Sequence, residues 1–78
     1  MTTLRLFASA REAAGTDRLE LEAGTVGEVL DQARARFGEH FAAVLATSRV
    51  WRNGEPTTDD AAVGETDEVA VLPPVSGG

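Results

Sequence analysis

The residues best equipped for chemistry stand together at the end of the sequence, in Pro73-Pro74-Val75-Ser76-Gly77-Gly78. Gly78 presents a carboxylate on a residue without a side chain. Gly77 before it lets the backbone take either hand and pass through a narrow space. Pro73 and Pro74 hold the start of the segment extended and keep it from continuing as helix. The segment therefore reads as a stiff stalk ending in a slender, unhindered carboxylate, with the rest of the chain built to present it. A frayed tail is the alternative, because chain ends are often disordered.

Little else in the sequence could do chemistry. There is no cysteine, hence no disulfide framework, thiolate metal site or nucleophilic thiol. There is no glycine-rich phosphate loop with a lysine, and Ser9, Ser48 and Ser76 lack the context of a nucleophile elbow. His40 has no ligand at metal spacing and reads as a solvent-edge residue. Asp59-Asp60 lacks the glycine and distal glutamate of a calcium loop, so it reads as solvated loop and no metal site is expected. The pattern points to a binding module or a covalently modified carrier rather than an enzyme in its own right.

Thirteen acids face seven bases in 78 residues, for a net charge of −6. Such a chain repels phosphate backbones, which argues against nucleic-acid binding, and suits a basic protein partner. Every base is an arginine, so the chain could donate its terminus to an isopeptide bond but offers no lysine to accept one. The apolar runs are too short to span a bilayer, and Met1-Thr2-Thr3-Leu4 lacks the features of a signal peptide. A cytoplasmic protein is expected, with one domain over residues 1–72 and an extended tail over 73–78.

The elements that would position the tail follow from periodicity. Thr3-Leu4-Arg5-Leu6-Phe7-Ala8 alternates as a strand, with Leu4, Leu6 and Ala8 inward and Arg5 and Phe7 on the opposite face. Ser9 to Gly15 reads as a short helical turn closed by glycine. Arg18 to Glu22 alternates again, with Leu19 and Leu21 inward, as the antiparallel partner of the first strand. Thr25-Val26-Gly27-Glu28 fits the reciprocal capping pattern. It opens a helix whose stripe is Val26, Val29, Leu30, Ala33 and Phe37, stopped by Gly38. Phe41, Val44 and Leu45 suggest a second short helical turn.

Arg49-Val50-Trp51-Arg52 enters a hairpin at Asn53-Gly54, and the pattern leaves open whether Val50 or Trp51 faces inward. Residues 58–67 read as acidic loop and turn. Glu68 to Leu72 suits a central strand with Val69 and Val71 inward. Leu72 would then stand exposed beside Phe7 as a docking patch, with a core Leu72 as the alternative. First and last strands adjacent and parallel, with the helix as crossover on one face, make an α+β ubiquitin-like β-grasp.

The residues also carry a resemblance. Leu6-Phe7-Ala8-Ser9-Ala10-Arg11-Glu12-Ala13-Ala14-Gly15-Thr16 resembles the first strand and turn of the molybdopterin synthase small-subunit family. Asp67 to Gly78, ending Leu72-Pro73-Pro74-Val75-Ser76-Gly77-Gly78, resembles that family's C-terminal signature. The resemblance implies a β-grasp sulfur carrier of molybdenum cofactor biosynthesis. In the family, a ubiquitin-activating-like enzyme uses ATP and magnesium to adenylate the terminal carboxylate, here that of Gly78. A carboxylate is a poor electrophile, and the acyl-adenylate supplies a good leaving group. Sulfur from a sulfurtransferase replaces AMP and leaves Gly78 as a thiocarboxylate. The tail then enters the large synthase subunit, where its sulfur attacks the pyranopterin precursor.

The resemblance implies a heterotetramer with the large subunit and no cofactor bound by this chain itself. Gly78 is the implied carrier and Gly77 keeps the tail thin. Ser76 stands where the family has a small hydroxyl residue, and Pro73, Pro74 and Val75 guide the exit. Phe7, Arg11 and Leu72 match the partner-facing surface. Arg52 departs from the family pattern, which often has an aliphatic residue before Asn-Gly, and puts the inward register of that strand in doubt. The alternatives are a carrier serving thiamin, cysteine or tRNA thiolation, a ubiquitin-like modifier conjugated through Gly78, and a plain interaction domain.

Overall fold

In the computed structural model, which describes residues 1–74, the two strands at the centre of the sheet come from opposite ends of the chain. β1 (Thr2–Leu6) lies parallel to β5 (Glu68–Leu72), with Leu4 beside Val69 and Leu6 beside Val71. β2 (Arg18–Leu21) pairs antiparallel with β1. β3 (Arg49–Arg52) pairs antiparallel with β5 and with the two-residue β4 (Glu55–Pro56). The sheet order is β2-β1-β5-β3-β4. Three helices complete the chain: α1 (Ala8–Ala14), α2 (Val26–Phe37) and α3 (Glu39–Ala46). This is the β-grasp arrangement, a mixed sheet with its helices on one face.

One apolar cluster joins the layers. Leu4, Leu6, Val69 and Val71 from the central strands meet Val26, Val29, Leu30 and Ala33 of α2, Ala10 of α1, and Phe41 and Leu45 of α3. Each fully buried aliphatic side chain contributes roughly 1.5–3 kcal/mol. Phe37 and Phe41 pack with ring centroids 5.1 Å apart across the bend at Gly38. There φ of +90° ends α2 and opens α3, a backbone region that glycine enters without steric cost. The second helical segment is therefore longer than a turn, because this bend lets Phe41 and Leu45 reach the same core as α2.

Ala8 does not continue the inward row of β1. Its φ of +50° bends the chain out of the strand and into α1, which leaves Ala8 exposed. Thr2 takes the inward place at the other end, buried, with its hydroxyl donating to the Gly64 carbonyl at 2.9 Å. In the second strand Leu21 is buried and Leu19 is only partly so, as befits an edge.

The N-terminus of α2 has its first-turn donors satisfied. Val26 N–H donates to the Ala61 carbonyl and Gly27 N–H to that of Asp59, at 2.9 and 2.8 Å. Glu28 N–H donates to Thr25 Oγ1 at 3.2 Å. The reciprocal bond differs from the expected pattern, since Glu28 Oε1 accepts from Gly24 N–H, at 2.6 Å, one residue before the N-cap. Loop residues 59–61 thus close the end of the helix. The same loop adds Val63 to the core and packs Ala61 against it, so it is more than acidic surface.

The hairpin has the conformation its sequence favours: Asn53 and Gly54 both have positive φ, at +52° and +84°, as a type I′ turn requires. The β3 register settles the facing of its side chains. Val50 is opposite the buried Val71 and faces the helices, whereas Trp51 is opposite Ala70 on the other side. Arg52, opposite Val69, has the inward register. Its stem runs along the core margin and its guanidinium donates to the Ala62 carbonyl at 2.8 Å. An arginine therefore fits where an aliphatic residue was expected, and the register is kept.

Candidate functional site

All three helices lie on one side of the sheet, and among the described residues nothing covers the other side. Strand alternation places Arg5 and Phe7 there from the first strand, Ala70 and Leu72 from the last, and Trp51 between the last strand and the hairpin. Phe7, Trp51, Ala70 and Leu72 line an open concavity of about 240 Å³, closed at one end by Glu68 and the Asn53-Gly54 tip. Leu72 is 37% exposed, so the core alternative for it does not hold. An apolar side chain held in water beside two aromatic rings has the character of a contact surface.

The chain leaves the sheet directly from this concavity. Leu72 is the last strand residue, Pro73 is buried and Pro74 is exposed. Pro73 anchors the exit, and its locked φ sets the direction in which the chain departs. Val75, Ser76, Gly77 and Gly78, to which the sequence assigns threading and carrying, lie outside the described residues.

Glu68 is the charged residue of the lining, and Arg5 stands beside it on the same face. The Arg5 guanidinium stands 5.3 Å from the Phe7 ring centroid and 3.9 Å from Glu68 Oε2. Cation–π contacts at exposed sites are worth about 0.5–1 kcal/mol, enough to bias the ring's position without fixing it. Arg11, assigned to the same surface by resemblance, sits exposed on α1 and does not line the concavity. The structure thus brings Phe7 and Leu72 together and leaves Arg11 apart from them. Trp51 is the member that sequence reasoning left unplaced. The available signal was the single aliphatic residue of Arg49-Val50-Trp51-Arg52, which favours Val50 as the inward side chain.

Among the described residues, no three His, Cys, Asp or Glu side chains are grouped so as to hold a metal ion. The Asp60 carboxyl is held below its ordinary range first by a hydrogen bond from the Thr58 hydroxyl, and then by its own backbone N–H. His40 is exposed on α3. No described helix is long and apolar enough to cross a membrane.

The chain is similar to known proteins in both sequence and fold. A profile of the ThiS family matches residues 4–78. The chain is 38% identical over 76 residues to the molybdopterin synthase sulfur carrier subunit of Arabidopsis thaliana, covering 94% of this chain and 78% of the relative. Among solved structures, SAMP1 of Haloferax volcanii superposes with a TM-score of 0.81 at 32% identity, covering 99% of this chain and 98% of the other. The solution structure of small archaeal modifier protein 1 from Methanosarcina acetivorans superposes with a TM-score of 0.87 at 27% identity, covering 99% and 95%.

Proposed function

Because this chain belongs to the ThiS family, we propose that it is the sulfur carrier subunit of a molybdopterin synthase, with Gly78 as the carrying residue. The observation that supports this most directly is the 38% identity, over nearly the whole chain, with a protein of that name. The site accounts for how a chain with so little catalytic equipment could serve. It offers an apolar face beside the point where the chain leaves the sheet, while partner enzymes supply the reactive chemistry.

The Gly78 carboxylate attacks the α-phosphorus of ATP, bound with magnesium by a ubiquitin-activating-like partner, and pyrophosphate leaves. A persulfide on a sulfurtransferase adds through its terminal sulfur to the acyl carbon and AMP departs; a thiol then attacks the inner sulfur of the resulting acyl disulfide, which forms a disulfide and leaves a thiocarboxylate. In the large synthase subunit that sulfur attacks a carbon of the pyranopterin precursor, and an oxygen substituent leaves that carbon. Water then cleaves the acyl–sulfur bond, returning the Gly78 carboxylate and leaving sulfur on the product. Two such transfers make the dithiolene.

The small subunit's part is reach and aim. Pro73 to Gly78 can extend at most about 20 Å beyond Leu72, at ~3.3–3.6 Å per residue. The partner's reacting centre therefore lies within that distance of whatever covers Leu72. Gly77 and Gly78 pass where a side chain would block, and Ser76 offers a hydroxyl for a hydrogen bond on the way.

Intact mass of the chain purified from its own host tests the proposal. A population with one oxygen replaced by sulfur is expected, and deletion of Gly78 should abolish molybdopterin formation while the domain still folds. Activity retained without Gly78 would sink it. A second reading, a modifier joined through Gly78 to partner lysines, is favoured by the likeness to SAMP1. Recovery of the chain only as lysine adducts would decide for that reading.

A further inference from the structure

The chain's net charge of −6 implies a basic partner, but the uncovered face has the opposite character. Arg18 stands directly opposite Arg5, and Arg49 directly opposite Leu72. Directly opposed residues of neighbouring strands share a face, so all three arginines belong to the face that carries the concavity. Arg5 and Arg18 flank it on the β1–β2 side, and Arg49 flanks Leu72 on the β3 side. The strand residues of this face include two acids, Glu20 opposite Thr3 and Glu68 beside Arg5.

The arrangement runs against the stability of the chain alone. Like charges directly opposite each other in a sheet are destabilising, and Arg5 and Arg18 are such a pair. Among the described residues neither Arg18 nor Arg49 has an acidic partner within ion-pair distance, and both are exposed. By contrast, the loops and the outer sides of the helices hold most of the chain's acids.

We infer that the face beside the tail exit docks an acidic partner surface, in which carboxylates meet Arg5, Arg18 and Arg49 around an apolar projection that fills the concavity. The inference rests on the carrier reading above and names the chemistry of the large subunit's docking surface. The charge of the whole molecule does not decide this contact. Salt screens charges over about 8 Å at physiological ionic strength, so at contact range the local arginines outweigh the remoter acids. Rim charges of this kind set register and rule out wrong partners more than they add affinity.

The test compares two charge-matched variants of the full chain in calorimetric titrations against the large molybdopterin synthase subunit from the same genome. R18E/R49E reverses two arginines of the face. R34E/R36E reverses two exposed arginines of α2, on the helix side, with the same change in net charge. R18E/R49E should weaken binding roughly tenfold or more, with R34E/R36E shifting it by less than about twofold. E20R, which adds a base to the face, should tighten binding and keeps the test decisive if R18E/R49E unfolds. Equal losses from both double variants, or tighter binding by R18E/R49E, would overturn the inference alone. No binding by the unmodified chain would overturn the carrier reading and this inference with it.

Discussion

The side-chain amide of Asn53 donates to Asp67 Oδ1 at 2.8 Å, while Asn53 Oδ1 accepts from the Glu68 backbone N–H at the same distance. Asn53 N–H also donates to the Glu68 carbonyl at 2.9 Å. The residue that gives the hairpin its left-handed turn therefore clamps the hairpin tip to the start of β5. Asp67 Oδ2 in turn accepts from Gly64 N–H at 2.8 Å. One end of the concavity is held by this clamp.

The clamp carries a pH dependence. The Asn53 amide first, then the Gly64 N–H and the nearby Arg52 charge, hold the Asp67 carboxyl below its ordinary range. A lowered folded-state value means that folding favours the charged form. Its contribution is full above about pH 4, the ordinary value for Asp, and is lost as pH falls through the lowered value. Thermal midpoints of the wild type and Asp67→Asn should differ at neutral pH and converge as acid protonates Asp67 in the folded state. A constant difference across that range would assign the effect to shape rather than charge.

Thr25→Ala removes the one side-chain cap of α2 and should cost about 1 kcal/mol in chemical denaturation. The Val26 and Gly27 donors keep their loop acceptors, so the loss stays near that figure rather than unravelling the helix.

Two aromatic residues should separate folding from docking. Phe41 is fully buried in the core cluster, and Phe41→Ala should cost about 3–5 kcal/mol, most of a small domain's stability. Trp51 lines the uncovered concavity. Trp51→Ala should leave the denaturation midpoint nearly unchanged and weaken binding to the large synthase subunit.

Phe7→Asp and Leu72→Asp should likewise weaken that binding while circular dichroism shows an intact fold, because both side chains lie on the face away from the core cluster. Cooperative unfolding at ordinary temperature in either variant would count against the docking role.

The sequence by itself determined much of this protein. The alternation in Leu4-Arg5-Leu6 and in Val69-Ala70-Val71, the Thr25 cap with its 3.6-residue stripe, and the Asn-Gly turn are local signals. Each carries its own backbone preference, so each element was legible before any contact was known. The Gly-Gly tail lies outside the described residues, so its reading rests on sequence alone.

Tertiary structure decided the rest. Ala8 left the inward row because the chain must bend into α1 there. Trp51 faces outward because pairing with β5 puts Val50 opposite Val71, a register that four residues of β3 cannot specify. Arg52 was accommodated by a carbonyl from a loop ten residues away. The grouping of Arg5, Arg18 and Arg49 on the uncovered face emerged only when these residues, scattered along an acidic sequence, were brought to one side of a single sheet. Charge counted along a chain is a sum, whereas the charge a partner meets depends on which strands are neighbours.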